Sequence, residues 1–250
     1  MSKIYGISYT SRHFTNRYKN IVKLGNDCGL FNEFKCFTED DIDNDFKDKY
    51  KEVWTMSKRG GGYWIWKPYI ISKMLEKIND NDILVYIDAG CHINITPESK
   101  KRFNDYINMI TTSNSGLLRF QLTHQEKNFT NKKTINYFKD KFNISDKMMN
   151  DYLENFQILN GIMLFKKTEF SIKFINNCLD ILNDDPKLHT DIYTQNNEKH
   201  RHDQSIMSLL YKHMNGDLIL DDETWFGGHN GNFNSALSKK YPFWATRLRS

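Results

Sequence analysis

Residues 83–88, ILVYID, constrain the fold more than any other stretch of the chain. Five successive apolar residues stand between a turn signal, NDND at 79–82, and a carboxylate. The run is too short for a helix and shows no alternation, so it reads as a strand covered on both faces. Open α/β sheets bind ligands in the crevice at the carboxyl ends of their strands. Asp88, at the end of this strand, is therefore the first candidate functional residue.

The block before it, RGGGYWIWKP at 59–68, points the same way. Three glycines after Arg59 break the preceding helical pattern and let backbone N–H groups approach an anion. Arg59 and Lys67 supply positive charge, and Pro68 suits the first turn of a helix running to about residue 78. A phosphate contact is the expected role, while Trp64 and Trp66 are expected in the core, with stacking of one on a base or a sugar as the alternative.

Upstream, residues 3–9 read as a strand followed by a helix over 15–26. The strand ends in Thr10, Ser11 and Arg12, which suit a nucleotide contact or an ordinary strand-to-helix loop. Residues 33–37 read as a second strand and 38–58 as one helix whose acidic first turn, Asp40 to Asp45, favours the positive end of the dipole. Downstream come a helix over 97–110, a strand over 116–122 and amphipathic helices over 131–155. Residues 156–166, FQILNGIMLFK, place Asn160-Gly161 inside an apolar strand, where glycine marks a bulge or a close backbone approach. A helix over 168–183 follows, and RHDQSIMSLLYKH opens another with His202, Asp203 and Gln204. Asp203 fits a helix cap or a site residue. After a short strand from 218 the tail carries Asp221, Asp222, Glu223, Trp225 and a glycine-flanked His229.

Several function classes are excluded by composition. Net charge is +4 over 250 residues and the basic residues are spread, which is not the footprint of a nucleic-acid binder. Cys28, Cys36, Cys91 and Cys178 show no metal-ligand spacing and are expected as reduced, buried thiols. No run approaches the ~20 apolar residues of a membrane span, and no leader is evident, so a cytoplasmic protein is expected.

Four stretches, YIDAG at 86–90, LNGIMLF at 159–165, HDQSIMSLL at 202–210 and GGHNG at 227–231, resemble in order and spacing the motifs of GT-A glycosyltransferases. The order is most similar to retaining glycosyltransferase family 8, the glycogenin and lipopolysaccharide galactosyltransferase group. The RGGGYWIWKP block also looks like uncharacterised bacterial and giant-virus glycosyltransferases. The resemblance implies one GT-A (Rossmann-like) nucleotide-diphospho-sugar transferase domain over 1–250, a mixed, mostly parallel sheet flanked by helices. Its nucleotide-binding half is expected at 1–125 and its acceptor half at 126–250.

The implied reaction moves a sugar from a nucleotide-diphosphate donor, a UDP-sugar favoured, to a glycan or other hydroxyl acceptor, with retention. The donor would lie against Thr10, Ser11, Arg12, Arg59, Lys67, Asp88, Ala89, Gly90, Asn160 and Gly161. Asp203 and Gln204 would flank the anomeric carbon, and an inverting variant would take its general base from Asp203, Asp222 or Glu223. Asp88 and His229 would hold Mn²⁺ or Mg²⁺. Gly90 stands where the family has its second acid, which leaves an ion-independent enzyme or an inactive sugar-binding homologue as alternatives. A sugar-nucleotide pyrophosphorylase ranks lower, because Tyr9 to Arg12 carries no glycine after the first strand.

Overall fold

The computed structural model describes residues 2–57, 59–226 and 233–247. Its strands are β1 (Ile4–Tyr9), β2 (Glu33–Phe37), β3 (Ile83–Ile87), β4 (His92–Ile93), β5 (Leu117–Gln125), β6 (Phe156–Ile158), β7 (Ile162–Lys166), β8 (Leu218–Asp221) and β9 (Phe243–Trp244). Seven form one sheet, and β4 pairs with β9 in a small second one. In the main sheet β1, β2, β3, β5 and β8 point one way, and β6 and β7 run against them. The sheet is mixed and mostly parallel in direction, as expected.

The run at 83–87 occupies the interior of this sheet between β1 and β7, with every residue buried. Its side chains alternate between two apolar layers. Leu84 and Tyr86 join one with the helices Trp66–Lys77, Glu169–Asp184 and Asp203–His213. Ile83, Val85 and Ile87 join the other with the helices Thr15–Asp27 and Pro97–Thr112. Helices thus cover both faces, which is why the strand shows no polar face in sequence.

The expected strand over 156–166 is broken. Leu118 pairs with both Leu164 and Leu218, and Gln121 with both Ile158 and Asp221, so β6 and β7 share one edge of β5 and β8 takes the other. Between β6 and β7 the residues Leu159, Asn160 and Gly161 leave the ladder, and the Leu159 amide donates to the Phe120 carbonyl at 2.7 Å. The break lies beside the carboxyl end of β3.

Two local expectations need correction. The single helix over 38–58 divides into a short capped turn at Glu39–Asp41 and helices Asn44–Lys49 and Lys51–Met56, because Tyr50 leaves helical geometry. The glycine segment is not an open loop. Residues 60–64 all have positive φ, including Tyr63 and Trp64 at 54° and 59°, forming a left-handed turn. Three glycines make such a turn accessible, since an L side chain is strained there.

Candidate active site

Lys67 is the centre of the site. It lies in the first turn of Trp66–Lys77, is 2% exposed, and its ammonium meets Asp203 Oδ2 at 2.7 Å, Asp88 Oδ1 at 3.4 Å and the Asn160 carbonyl at 3.2 Å. Its three donors are taken, and Tyr86 offers its ring face 5.0 Å away. Lys67, expected as a cation beside a diphosphate, thus serves as counter-ion to two carboxylates. Burial pulls its pKa down, but Asp203 and Asp88 more than reverse this and hold it above the ordinary lysine value.

Among the described residues, both carboxylates keep one oxygen free of hydrogen bonds. Asp88 Oδ1 accepts from the Tyr86 hydroxyl at 2.5 Å, leaving Oδ2. Asp203 Oδ2 accepts from Lys67 and from Asn160 Nδ2 at 2.6 Å, leaving Oδ1. Burial raises the Asp88 carboxyl, opposed by Lys67 and the Tyr86 hydrogen bond. Its side chain still shows 39% of its surface to solvent, so water screens part of that penalty.

The break at 159–161 sets the spacing of these groups. The Asp88 amide donates to the Gly161 carbonyl at 2.8 Å, and a Cβ on Gly161 would come 2.9 Å from Asp88 Oδ2. The close backbone approach expected for this glycine is therefore made to the candidate acid itself. Asn160 is fixed on both sides: Oδ1 accepts from Arg119 at 2.7 Å while Nδ2 serves Asp203. Gln204 accepts from the Asn160 amide at 3.3 Å and donates to Gln157 at 2.6 Å, which in turn donates to the buried Glu126 at 2.8 Å. Gln204 thus positions Asn160 from below.

Three site residues, Arg17, Arg119 and Thr246, escaped the sequence reading. Arg17 is buried and clamps the loop after Asp88, donating to the Ala89 carbonyl at 2.9 Å and to that of Cys91 at 3.4 Å. The Gly90 carbonyl is held by the Thr246 hydroxyl at 2.6 Å. Arg119, fully buried, lies between the rings of Phe174 and Tyr211, and burial lowers its pKa to about 10. His202 has φ 53°, an uncommon conformation for a bulky residue, and stacks on Trp64 at 5.4 Å with Asp191 3.7 Å away. An arginine in an amphipathic helix or strand reads as a surface residue, so only its tertiary partners reveal it.

Other expected residues have different surroundings. Thr10 and Ser11 are buried at the end of β1, and Arg12 is exposed and paired with Asp40 and Glu39. Arg59 reaches Asp191 at 2.9 Å with both side chains half-exposed, beside His202. Asp222 accepts from the Thr224 amide and hydroxyl in a local turn. Glu223 forms a bidentate pair with Arg102, at 2.8 and 2.5 Å, and accepts from Tyr106. Among the described residues these two acids, the expected alternative general bases, bond to those partners and not to Asp88, Lys67 or Asp203. Glu223 instead lines a groove of about 370 Å³ with Glu98, Arg102 and Asp105.

Among the described residues no three His, Cys, Asp or Glu side chains converge on a metal position. Cys91 is buried with a raised thiol pKa, chiefly from desolvation, and His92 packs on Trp244 at 5.0 Å. Asp88 Oδ2 is one hard ligand, which does not complete a divalent site. The other expected ligand, His229, and the whole GGHNG stretch lie outside the described residues.

No protein-family model matches the chain, and no curated protein matches its sequence. Solved structures do match. A glycosyltransferase involved in the glycosylation of the major capsid of PBCV-1 superposes with TM-score 0.54 at 12% identity, covering 97% of this chain and 91% of the other. The bifunctional glycosyltransferase WbbM superposes at TM-score 0.50 and 11% identity, over 97% of this chain and 45% of its own. The fold is that of the GT-A type. No helix among the described residues is long and apolar enough to cross a membrane.

Proposed function

We propose that the chain is a glycosyltransferase that transfers a sugar from a nucleotide-diphosphate donor, a UDP-sugar favoured, to a hydroxyl of a glycan or other acceptor. Retention, as in family 8, is the favoured stereochemistry. One observation carries this reading: Asp88 and Asp203, locked together by Lys67, each present a free oxygen at the carboxyl end of the central strand. Two carboxylates and one ammonium leave the group one negative charge in excess. Such a site stabilises positive charge growing at an anomeric carbon, the requirement of an oxocarbenium-like transition state.

In this reading residues 1–125 receive the nucleotide near Thr10 and Ser11, and 126–250 receive the acceptor. Asp88 holds the junction of ribose and diphosphate, Asn160 and Gly161 form the floor beneath the sugar, and Asp203 Oδ1 flanks its anomeric carbon. The bond from that carbon to the phosphate oxygen breaks with its electron pair leaving on the diphosphate. The acceptor oxygen forms the new bond from the same face, and its proton passes to the departing phosphate. Arg59, freed from the exposed Asp191, and His229 would balance the charge on that phosphate. If a divalent ion takes part, Asp88 and His229 are its proposed ligands.

A thermal-shift screen of nucleoside diphosphates and nucleotide sugars, with Mn²⁺ or with chelator, tests the reading. A ligand bound only by the folded state raises the midpoint, by about 2.7 kcal/mol of stability at 100-fold excess over Kd. Stabilisation by one nucleotide sugar and slow release of its diphosphate are expected. No shift with any donor would reject the proposal, and a shift without hydrolysis or transfer to any acceptor would favour the inactive homologue.

A further inference from the structure

A second group of charges stands beside the carboxylates, at the end of β5. Arg201, two residues before Asp203, stacks over Phe129 at 3.9 Å and donates to His124 Nε2 at 2.5 Å. Lys199 approaches the same ring at 5.6 Å, and Arg247 covers Trp225 at 4.7 Å. The Arg247 charge is felt by Arg201, His124 and Cys91, so it lies within Coulomb range of this cluster and of the loop after Asp88. Among the described residues none of these three cations has a carboxylate within ion-pair distance, although 18 such pairs exist elsewhere. The cost of assembling them is visible. Burial and then Arg247 lower Arg201 to about 10, and burial with the two arginines lowers His124 to about 4. His124 is therefore neutral at pH 7, and its lone pair orients the Arg201 fork.

The carboxylate whose charge acts on Arg201, the buried Glu126, is itself paired with Lys212 at 2.9 Å. Like charges gathered on aromatic faces with no carboxylate in direct contact make a receptor for an anion, and a guanidinium fork matches phosphate and carboxylate oxygens. The sheet order separates this position from the nucleotide. β1, with Thr10 and Ser11 at its end, lies on one side of β3, whereas β5 lies on the other, beyond the β6–β7 line. An anion at the end of β5 approaches Asp203 from the side opposite the nucleotide.

We propose that Arg201 and Arg247, with Lys199 at the rim, bind an anionic group of the acceptor, so that the preferred acceptor carries a phosphate or a carboxylate near the hydroxyl that receives the sugar. This inference rests on the transferase reading. It is tested with a neutral hexoside, its 6-phosphate and its uronate as acceptors, against the wild type, Arg201→Gln and Arg247→Gln. The wild type is expected to prefer at least one anionic acceptor over the neutral one by about 10-fold in kcat/KM, and the arm with the larger gain identifies phosphate or carboxylate. Either variant should reduce that preference to less than about 3-fold. UDP affinity and acceptor-free donor hydrolysis should stay within about twofold of the wild type. Because Arg247 is exposed, its variant keeps the test usable should Arg201→Gln misfold.

Equal use of neutral and anionic acceptors by the wild type would overturn the proposal. Loss of UDP affinity in the variants would overturn it too, by assigning the cations to the donor diphosphate. A wild type that hydrolyses no donor would remove the transferase reading itself, an outcome separate from both.

Discussion

Replacing Lys67 by Met keeps most of the side-chain volume and deletes one buried charge. At an effective dielectric of about 20, the 2.7 Å contact with Asp203 is worth about 6 kcal/mol of Coulomb attraction, and desolvation of the ammonium returns several of these. Asp88 adds less, because 39% of its side chain faces water. Removing one partner from a buried pair costs about 3–5 kcal/mol, since the carboxylate left behind stays desolvated. With a urea m-value of about 3 kcal/mol/M, the midpoint should fall by roughly 1–1.7 M.

The pH dependence provides a second reading of the same change. Lys67 has a folded pKa above its unfolded one, so its stabilisation is complete below about pH 10 and is lost as pH rises through the folded value. Asp88 is raised by burial and Lys67 opposes that rise. In Lys67→Met the folded state binds the Asp88 proton more tightly, so the variant loses stability as pH climbs from about 4 upwards, more steeply than the wild type. Urea titrations of both proteins at pH 5, 7 and 9 measure this. A variant as stable as the wild type at pH 7, or one whose deficit does not grow between pH 5 and 7, would refute the counter-ion role.

Gly161→Ala sets a Cβ 2.9 Å from Asp88 Oδ2, so kcat/KM should fall at least about 10-fold for a stability cost of about 1–3 kcal/mol, read by donor turnover and urea unfolding together. Glu223→Gln weakens the pair with Arg102, and should cost about 1 kcal/mol in urea unfolding while leaving kcat unchanged. Arg17→Met frees the Ala89 and Cys91 carbonyls, and should raise KM for the donor more than it lowers kcat in steady-state assays.

Periodicity made the sheet legible. The buried run at 83–87, the strands at 4–9 and 33–37, and the helices at 97–112 and 169–184 follow from patterns that local physics enforces. Gly161 was legible for a similar reason, because a glycine inside an apolar strand has few explanations. The role of Lys67 was not. Nothing in WIWKP distinguishes a lysine facing a ligand from one buried between two acids that lie 21 and 136 residues further on. The same holds for Arg17, Arg119 and Arg201, whose partners are distant carbonyls and rings. Asp222 and Glu223 looked like candidate bases because acids cluster there, and their bonds to Thr224, and to Arg102 and Tyr106, could not be read from that cluster.

The most direct measurement is the rate of sugar transfer by Asp203→Asn beside the wild type, with a donor that the binding screen identifies. Asparagine retains the shape of the side chain and removes the charge that Lys67 and the anomeric carbon are proposed to share. Transfer and donor hydrolysis should fall about 10²–10⁴-fold while the donor still stabilises the variant. Turnover within a few-fold of the wild type, in a folded Asp203→Asn protein, would contradict the assignment of the Asp88–Lys67–Asp203 group as the place where the sugar is transferred.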